Sequence, residues 1–398
     1  MIVSRTKRGT NLEDVQEMNR SLVIQLMRRR VVCSRAELTQ ASGLNQSTIT
    51  HIINELISWG LVVETGIIDG KKGRRSIGIK LHCEPYKIVG VRLARKSITV
   101  ALYDLAGVEY DKRQISIHTM DGSMKALKRM KELIAEMIES NQAGKVIAIG
   151  VVTPGPLFRN EGRIALMTDF PGWETINIQA DLMNDFGIPT YIEHDAKAGA
   201  LAHWWLGEPH QERGVMIYVA AGQGVGAGIV VDGKVYRGAL GMAGEIGHMS
   251  IDYKGPQCEC GSKGCLELYC STSALLKTLN KEHASLASVW QEVQEGRGGK
   301  AEEAVRQASW FLGFGLVNIV NTFNPDRIIL GDELSAAGSL LLETVQSVLD
   351  QHVLPDVSGK LAVELAADDS DPMLAGAAIV AIDSIVAQPS SFLQQHRS

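Results

Sequence analysis

Gly244-Glu245-Ile246-Gly247-His248 followed, after nine residues, by Cys258-Glu259-Cys260-Gly261-Ser262-Lys263-Gly264-Cys265-Leu266-Glu267 is the stretch on which the reading of this sequence turns. Three of the chain's six cysteines crowd into eight positions. In an oxidising compartment such a cluster would suggest disulfides; in a reducing one it reads more easily as a metal site. No apolar run approaches the roughly 18 residues that span a bilayer, and Met1 to Thr10 lacks the apolar stretch of a secretory signal. The expectation is a cytoplasmic protein without membrane insertion, and therefore a metal.

The rest of the composition agrees. With 398 residues, 45% apolar and 21% charged, the chain can bury more than one core and is not broadly disordered. Its net charge of −5 conceals an asymmetry: residues 1–82 carry 13 Lys+Arg against 7 Asp+Glu, whereas the remainder carries 27 against 38. A basic first fifth on an acidic body predicts that one end meets a polyanion.

That basic end has its own pattern. Residues 11–29 show helical spacing through Leu12, Val15, Leu22 and Leu26. Ser34-Arg35-Ala36-Glu37 has the spacing of a capping box, opening a short helix that Gly43 closes. Asn45 caps a third helix whose buried stripe is Ile49, Ile52, Ile53 and Leu56, ending at Gly60. Helix, tight turn, helix is a helix-turn-helix arrangement. Gln46, Ser47, Thr48, Thr50, His51 and Asn54 remain outside the stripe, and short hydrogen-bonding side chains there suit major-groove base edges. A hairpin follows, Leu61–Thr65 and Ser76–Leu81, turning near Asp69-Gly70. Its tip, Lys71-Lys72-Gly73-Arg74-Arg75, carries four positive charges in five residues and suits a wing on phosphates. A small three-helix domain with a solvated basic loop, or a protein-interaction winged helix, is the alternative. Cap, turn, polar face and basic wing in this order favour a double-stranded DNA operator.

From Tyr86 the pattern turns to strands: Lys87–Ala94, Ser97–Leu105 and Gln114–His118, then a helix over 122–140 and a buried strand Val146–Val152. A similar order returns with Gly214–Ala220, Ala227–Val231, helices and Arg327–Leu330. Two α/β halves of one pattern predict two lobes with a ligand cleft between them. Four stretches fall where strands end: Thr153-Pro154-Gly155-Pro156, Glu193-His194-Asp195-Ala196, the glycine-rich turn Gly222–Gly228, and the 244–267 block.

These motifs together resemble the ROK family of sugar kinases and sugar-responsive repressors, and with the winged helix in front the whole chain resembles its Mlc- and NagC-type regulators. The resemblance implies a two-lobed actin-like (ribonuclease H-like) fold behind a winged helix-turn-helix. Its division would be 1–82, then 83–195 completed by a returning helix within 371–398, then 196–370. It also implies a Cys3His site for structural Zn²⁺ from His248, Cys258, Cys260 and Cys265. Sugar binding is carried onto Gly155, His194, Asp195, Glu245, His248 and Glu267, with His248 serving both metal and sugar. His194 stands where the family's kinases usually have Asn. Cys270, Cys33 and Cys83 are expected to pack rather than ligate.

The resemblance also predicts what has been lost. Family kinases cradle ATP with an Asp-x-Gly-Gly-Thr turn; the matching Arg92-Leu93-Ala94-Arg95-Lys96 has no carboxylate for Mg²⁺ and no glycine. Gln223 replaces the usual Thr of the second loop, and Gly331-Asp332-Glu333 replaces a glycine pair. Phosphoryl transfer depends on metal-held phosphates, so the expected function is a DNA-binding regulator, a homodimer or homotetramer with a sugar effector, and not an enzyme. The alternatives are a sugar kinase with an added DNA-binding module, and a regulator controlled by a protein partner.

Overall fold

The computed structural model describes residues 11–28, 30–69, 75–118, 122–165, 167, 170–207, 214–280, 285–294, 299–367 and 371–390. The first unit comprises α1 (Leu12–Arg28), β1 (Cys33–Ser34), α2 (Arg35–Ser42), α3 (Gln46–Ser58), β2 (Val62–Asp69) and β3 (Arg75–Leu81). The reciprocal cap forms as its spacing predicts: Glu37 N donates to Ser34 Oγ and Ser34 N donates to Glu37 Oε2 at 2.8 Å. Gly43 closes α2 at φ +70°, and Asn45 Oδ1 accepts from Thr48 N to open α3. Ile49, Ile52, Ile53 and Leu56 are buried.

The apolar face of α1 differs from its sequence pattern. Val23, Ile24 and Met27 are buried, while Leu12, Val15 and Leu22 lie at the surface, Leu12 at 74% exposure. The small core reaches only the C-terminal half of α1, so the first turns have nothing to pack against. The strand β1, which pairs with β3 through Cys33 and Ser34, carries no sequence signal because it is two residues long.

The body alternates β4 (Tyr86–Leu93), β5 (Ser97–Asp104), β6 (Glu109–Ser116), α4 (Ser123–Ser140), β7 (Lys145–Thr153), β8 (Leu157–Phe158), β9 (Arg163–Ile164), α5 (Ile178–Phe186), β10 (Thr190–His194) and α6 (Asp195–Leu206). Then come β11 (Val215–Ala221), β12 (Val225–Val231), β13 (Lys234–Val235), α7 (Glu267–Cys270), α8 (Thr272–Thr278), α9 (Leu286–Gln294) and α10 (Lys300–Phe323). The chain finishes with β14 (Arg327–Gly331), α11 (Ser339–His352), α12 (Pro355–Ser358), β15 (Ala362–Leu365) and α13 (Pro372–Ala387). The first large sheet has strand order β10-β7-β4-β5-β6 and the second β13-β12-β11-β14-β15. Each is an antiparallel three-strand meander whose first strand takes two further strands in parallel, so the two halves repeat one plan.

Two boundaries move. The third strand is Glu109–Ser116, not Gln114–His118: it is an exposed edge rich in charge, which masks its strand character. Gly226 and Gly228 belong to β12, leaving only 222–224 as the turn. Glycine is required at 228 because a Cβ there would collide with the Ala196 carbonyl oxygen of α6.

Helix α13 lies against the first sheet and against α6. The approach is close enough that a Cβ on Gly150 of β7 would strike the Ala377 carbonyl oxygen, and one on Gly376 the Ala198 carbonyl oxygen. Gly150→Ala should therefore destabilise the fold by roughly 3 kcal/mol, as for other overpacked cores. Denaturant midpoints of the variant and parent measure this; a difference below about 0.5 kcal/mol would contradict the packing described.

Candidate functional site

The repeated strand plan brings several loops to one cleft. Strand β10 runs into α6 with His194 as N-cap and Asp195 in the first turn. Strand β7 ends in Pro154-Gly155-Pro156, and the 222–224 turn faces it across the cleft. A cavity of about 120 Å³ lies between them, and Gly155, His194, Asp195, Glu245, His248 and Glu267 all line it. The six positions singled out for sugar binding thus converge in space.

Their electrostatics favour uncharged, hydroxyl-bearing ligands. His194 is buried, which pushes its imidazole down from the ordinary value and keeps it neutral. Burial raises Asp195, with Arg92 opposing. His194 Nδ1 lies 3.5 Å from Asp195 Oδ1, and Nε2 lies 3.9 Å from Glu245 Oε1. His194 Nδ1 and Glu245 Oε1 are both buried without a hydrogen-bond partner among the described residues. Buried polar atoms are rarely left unpaired, because each costs about 1–3 kcal/mol. A ligand that both donates and accepts would satisfy them.

Beside the cavity, His248 ends a short 3₁₀ turn, Ile246–His248, and the following loop folds back through bridges Ser250–Cys265 and Gln257–Lys263. This brings one ligand atom from each of His248, Cys258, Cys260 and Cys265 within 4.8 Å of one another. His248 Nδ1 is 3.7 Å from Cys258 Sγ, and Cys260 Sγ is 3.6 Å from Cys265 Sγ. Sulfurs that far apart are not bonded, since a disulfide is about 2.05 Å long. Four such donors can hold a metal ion. Glu267 Oε1 approaches the same group, 3.2 Å from His248 Nδ1 and 3.4 Å from Cys258 Sγ, so the cluster holds a cavity carboxylate in place. Burial pushes the Cys258 thiol up to about 12, a penalty that a coordinated cation would reverse. Cys270 is fully buried on α7 and bonds Leu266 O, and Cys33 is buried in the first unit's core.

The stretch matching the kinase phosphate turn is occupied by a salt-bridged triad. Arg92 Nη1 donates to Asp371 Oδ2 at 3.0 Å, and Arg92 Nη2 lies 3.6 Å from Asp332 Oδ1. Arg92 comes from the first sheet, Asp332 follows β14 of the second, and Asp371 caps α13. Asp332 adopts φ +66° and its carboxylate stands where a Cβ on Gly222 would be. Burial raises that carboxyl to about 6 although Arg92 draws it down. Neither Asp332 nor Asp371 was recognisable as a partner of Arg92, since nothing in sequence spacing links positions so far apart.

On the first unit, Gln46, Ser47, His51 and Asn54 are exposed along α3, and Thr48 and Thr50 are half-buried. Some of their capacity is used internally: Ser47 Oγ donates to Asn45 Oδ1, and Thr50 Oγ1 to Gln46 O. Arg75 is exposed at the start of β3, opposite Asp69. Lys71, Lys72 and Arg74 lie outside the described residues.

The ROK family model matches residues 88–384. The chain belongs to the ROK family. Within that family it is 28% identical to the xylose repressor of Caldicellulosiruptor bescii over 394 residues, covering 94% of this chain and 98% of the relative. A solved ROK family transcriptional regulator, described as a homologue of the Escherichia coli MLC protein, superposes with a TM-score of 0.82 at 24% identity, over 96% of this chain and 99% of its own. The ROK hexokinase of Thermus thermophilus, 30% identical, superposes with a TM-score of 0.59 and covers 74% of this chain and 97% of its own. The ROK body is thus shared with a kinase, while the whole length is shared with regulators. Among the described residues no helix of this ROK protein is long and apolar enough to cross a membrane.

Proposed function

We propose that this ROK protein is a transcriptional repressor that binds operator DNA through its first unit and responds to a sugar held in the cleft. The observation that carries the reading is the pair of buried polar atoms without a hydrogen-bond partner among the described residues, His194 Nδ1 and Glu245 Oε1, beside a cavity also lined by Asp195 and Glu267. Adjacent sugar hydroxyls donate to carboxylates and accept from imidazole, and Gly155 supplies backbone on the opposite wall. His248 would bridge the sugar and the metal.

Zinc is the metal the donors fit. A tetrahedral Zn²⁺ with bonds of about 2.3 Å to sulfur sets its ligand atoms roughly 3.8 Å apart, close to the 3.6 and 3.7 Å separations of the Cys260–Cys265 and His248–Cys258 pairs. With all four positions filled by protein the ion is structural: it would hold His248 and Glu267 at the cavity wall.

On DNA, Gln46, Ser47, Thr48, Thr50 and His51 of α3 face the major groove, and Lys71, Lys72, Arg74 and Arg75 of the wing neutralise phosphates. A homodimer or homotetramer in the cytoplasm would present two such units to a palindromic site. The working division is 1–82 for DNA, 83–195 with 371–398 for the first lobe and 196–370 for the second. The carboxylates of Asp332 and Asp371 at the place of the kinase phosphate turn are paired with Arg92 instead of being free for a metal ion, which supports a body that senses and does not phosphorylate.

The test joins these elements. DNA selected from a random pool should yield a palindrome, and fluorescence anisotropy should show a sugar from a panel weakening that complex. Thr50→Ala with His51→Ala should weaken operator binding by about 1–3 kcal/mol per lost base contact while leaving nonspecific binding little changed. Radiolabelled ATP with the same sugar should give no sugar phosphate; concentration-dependent turnover would restore the kinase reading.

A further inference from the structure

Two helices start at the cavity and end at the first unit. Helix α6 opens on His194 and Asp195, which line the cavity, and packs against strands of both large sheets. Helix α13 opens on Asp371, whose carboxylate holds Arg92 at the cavity wall, and lies along α6. Helix α1 reaches the far end of both. The guanidinium of Arg28, the last residue of α1, lies over the indole of Trp205 near the end of α6. Roughly 16 Å back along α1 stands Glu17. It accepts from Ser390 N at 2.8 Å and from Ser390 Oγ at 2.5 Å, just beyond α13.

From Glu17 the contacts run on to α3. Arg20 Nη1 donates to Glu17 Oε2 at 3.2 Å, and Arg20 Nε and Nη2 donate to Glu55 Oε2 and Oε1, both at 3.0 Å. A guanidinium that grips a carboxylate by two parallel bonds fixes direction as well as distance. Glu55 Oε2 lies 3.9 Å from His51 Nε2, and Arg20 and Glu55 line one surface groove with Ser47, Thr48 and His51. Leu12 and Val15 are exposed, so polar contacts and not an apolar core set the direction of the N-terminal half of α1. Ion pairs near the surface are individually weak and rearrange more readily than a packed core.

Resting on the sugar reading above, we infer that α1 couples the cleft to α3: it bridges the ends of α6 and α13, and Arg20 passes its movement to α3 through Glu55. A sugar that favours one lobe arrangement shifts α6 against α13, because α6 is packed on both sheets and α13 on the first alone. Helix α1, held at Arg28 by one and at Glu17 by the other, turns with them and re-aims α3. Glu17 and Arg20 are positioning residues here: they touch neither the sugar nor the bases.

Two measurements on the metal-loaded full chain test this: anisotropy of operator DNA with and without xylose, glucose or N-acetylglucosamine, and calorimetry of each sugar without DNA. In the parent, one sugar should change operator affinity by at least about fivefold, the lower end of ordinary coupling. Glu17→Gln removes the charge that holds Arg20 and weakens both bonds from Ser390. Ser390→Pro removes both of those donors and leaves Glu17 in place. Each variant should bind operator alone, and sugar alone, within about threefold of the parent, while sugar changes its operator affinity less than about twofold. A merely structural contact would lower the separate affinities and leave that ratio unchanged. Glu13→Gln, an exposed acid of the same helix, is the control and should keep the full response. The inference is overturned and the sugar reading kept by an undiminished response in either variant, by the same loss in Glu13→Gln, or by a folded variant that no longer binds operator or sugar alone. Loss of a cooperative thermal melt in both variants also overturns it, since the contacts are then structural. A parent that responds to none of the three sugars overturns both.

Discussion

Stripping the metal from His248, Cys258, Cys260 and Cys265 should lower the melting temperature of the body by about 10 °C and abolish sugar binding with it. Structural zinc sites in small peptides contribute apparent energies of about 10–16 kcal/mol at neutral pH, because the ligand loop is ordered only around the ion. Here the loop is also held by the Ser250–Cys265 and Gln257–Lys263 bridges, so a smaller share of about 3–5 kcal/mol is expected. At roughly 2–4 °C per kcal/mol for a domain of this size, that gives the stated shift. Cys265→Ser, at a fully buried ligand position, should reproduce it without a chelator. Metal analysis and thermal melts, with and without chelator, decide the matter. A chain that holds about one zinc yet melts unchanged after its removal would show the ion to be incidental.

Glu245→Gln should leave operator binding without sugar nearly intact and remove the sugar response altogether. The amide keeps the shape of the carboxyl but loses the charge that accepts sugar hydroxyl hydrogen bonds at Oε1, which has no hydrogen-bond partner among the described residues. A sugar changes DNA affinity only by the difference in its affinity for the two lobe arrangements. Typical couplings of about 1–3 kcal/mol correspond to a 5- to 150-fold change in operator affinity, and this should collapse to no change in the variant. Anisotropy titrations with and without sugar measure both quantities. A variant that responds as the parent does would remove Glu245 from the sensor; one that folds normally but loses DNA binding would place Glu245 in the DNA-competent state itself.

Residue order alone made the first unit legible, and less of the cleft. Local signals were sufficient for the first unit, where Ser34, Glu37, Gly43 and Asn45 cap their helices through contacts three or four residues apart. The convergence of Gly155, Asp195, Glu245 and Glu267 was accessible only through family resemblance, because they come from four separate segments, two of them helix starts. The Arg92, Asp332 and Asp371 triad was not legible: the absent glycines mark a departure from the family's kinase turn, but no spacing rule shows what fills the gap. The exposed start of α1 failed for the opposite reason, since helical periodicity records where apolar residues recur but not how far the core beneath them extends.

The placement of α13 bears on how the protein is made. The helix that covers β4 and β7 is synthesised after almost all of the body, and it also meets the first unit, where Ser390 N and Oγ both donate to Glu17. While the chain is still on the ribosome, the first sheet has strands but lacks the cover for one apolar face. The first unit can complete its core early, from local contacts. The lobe behind it must wait until α13 has been made, and a product truncated before that helix would expose the groove that Ala377 and Gly376 fill. Quality control would then fall on α13: only a chain that carries this helix can complete the first lobe.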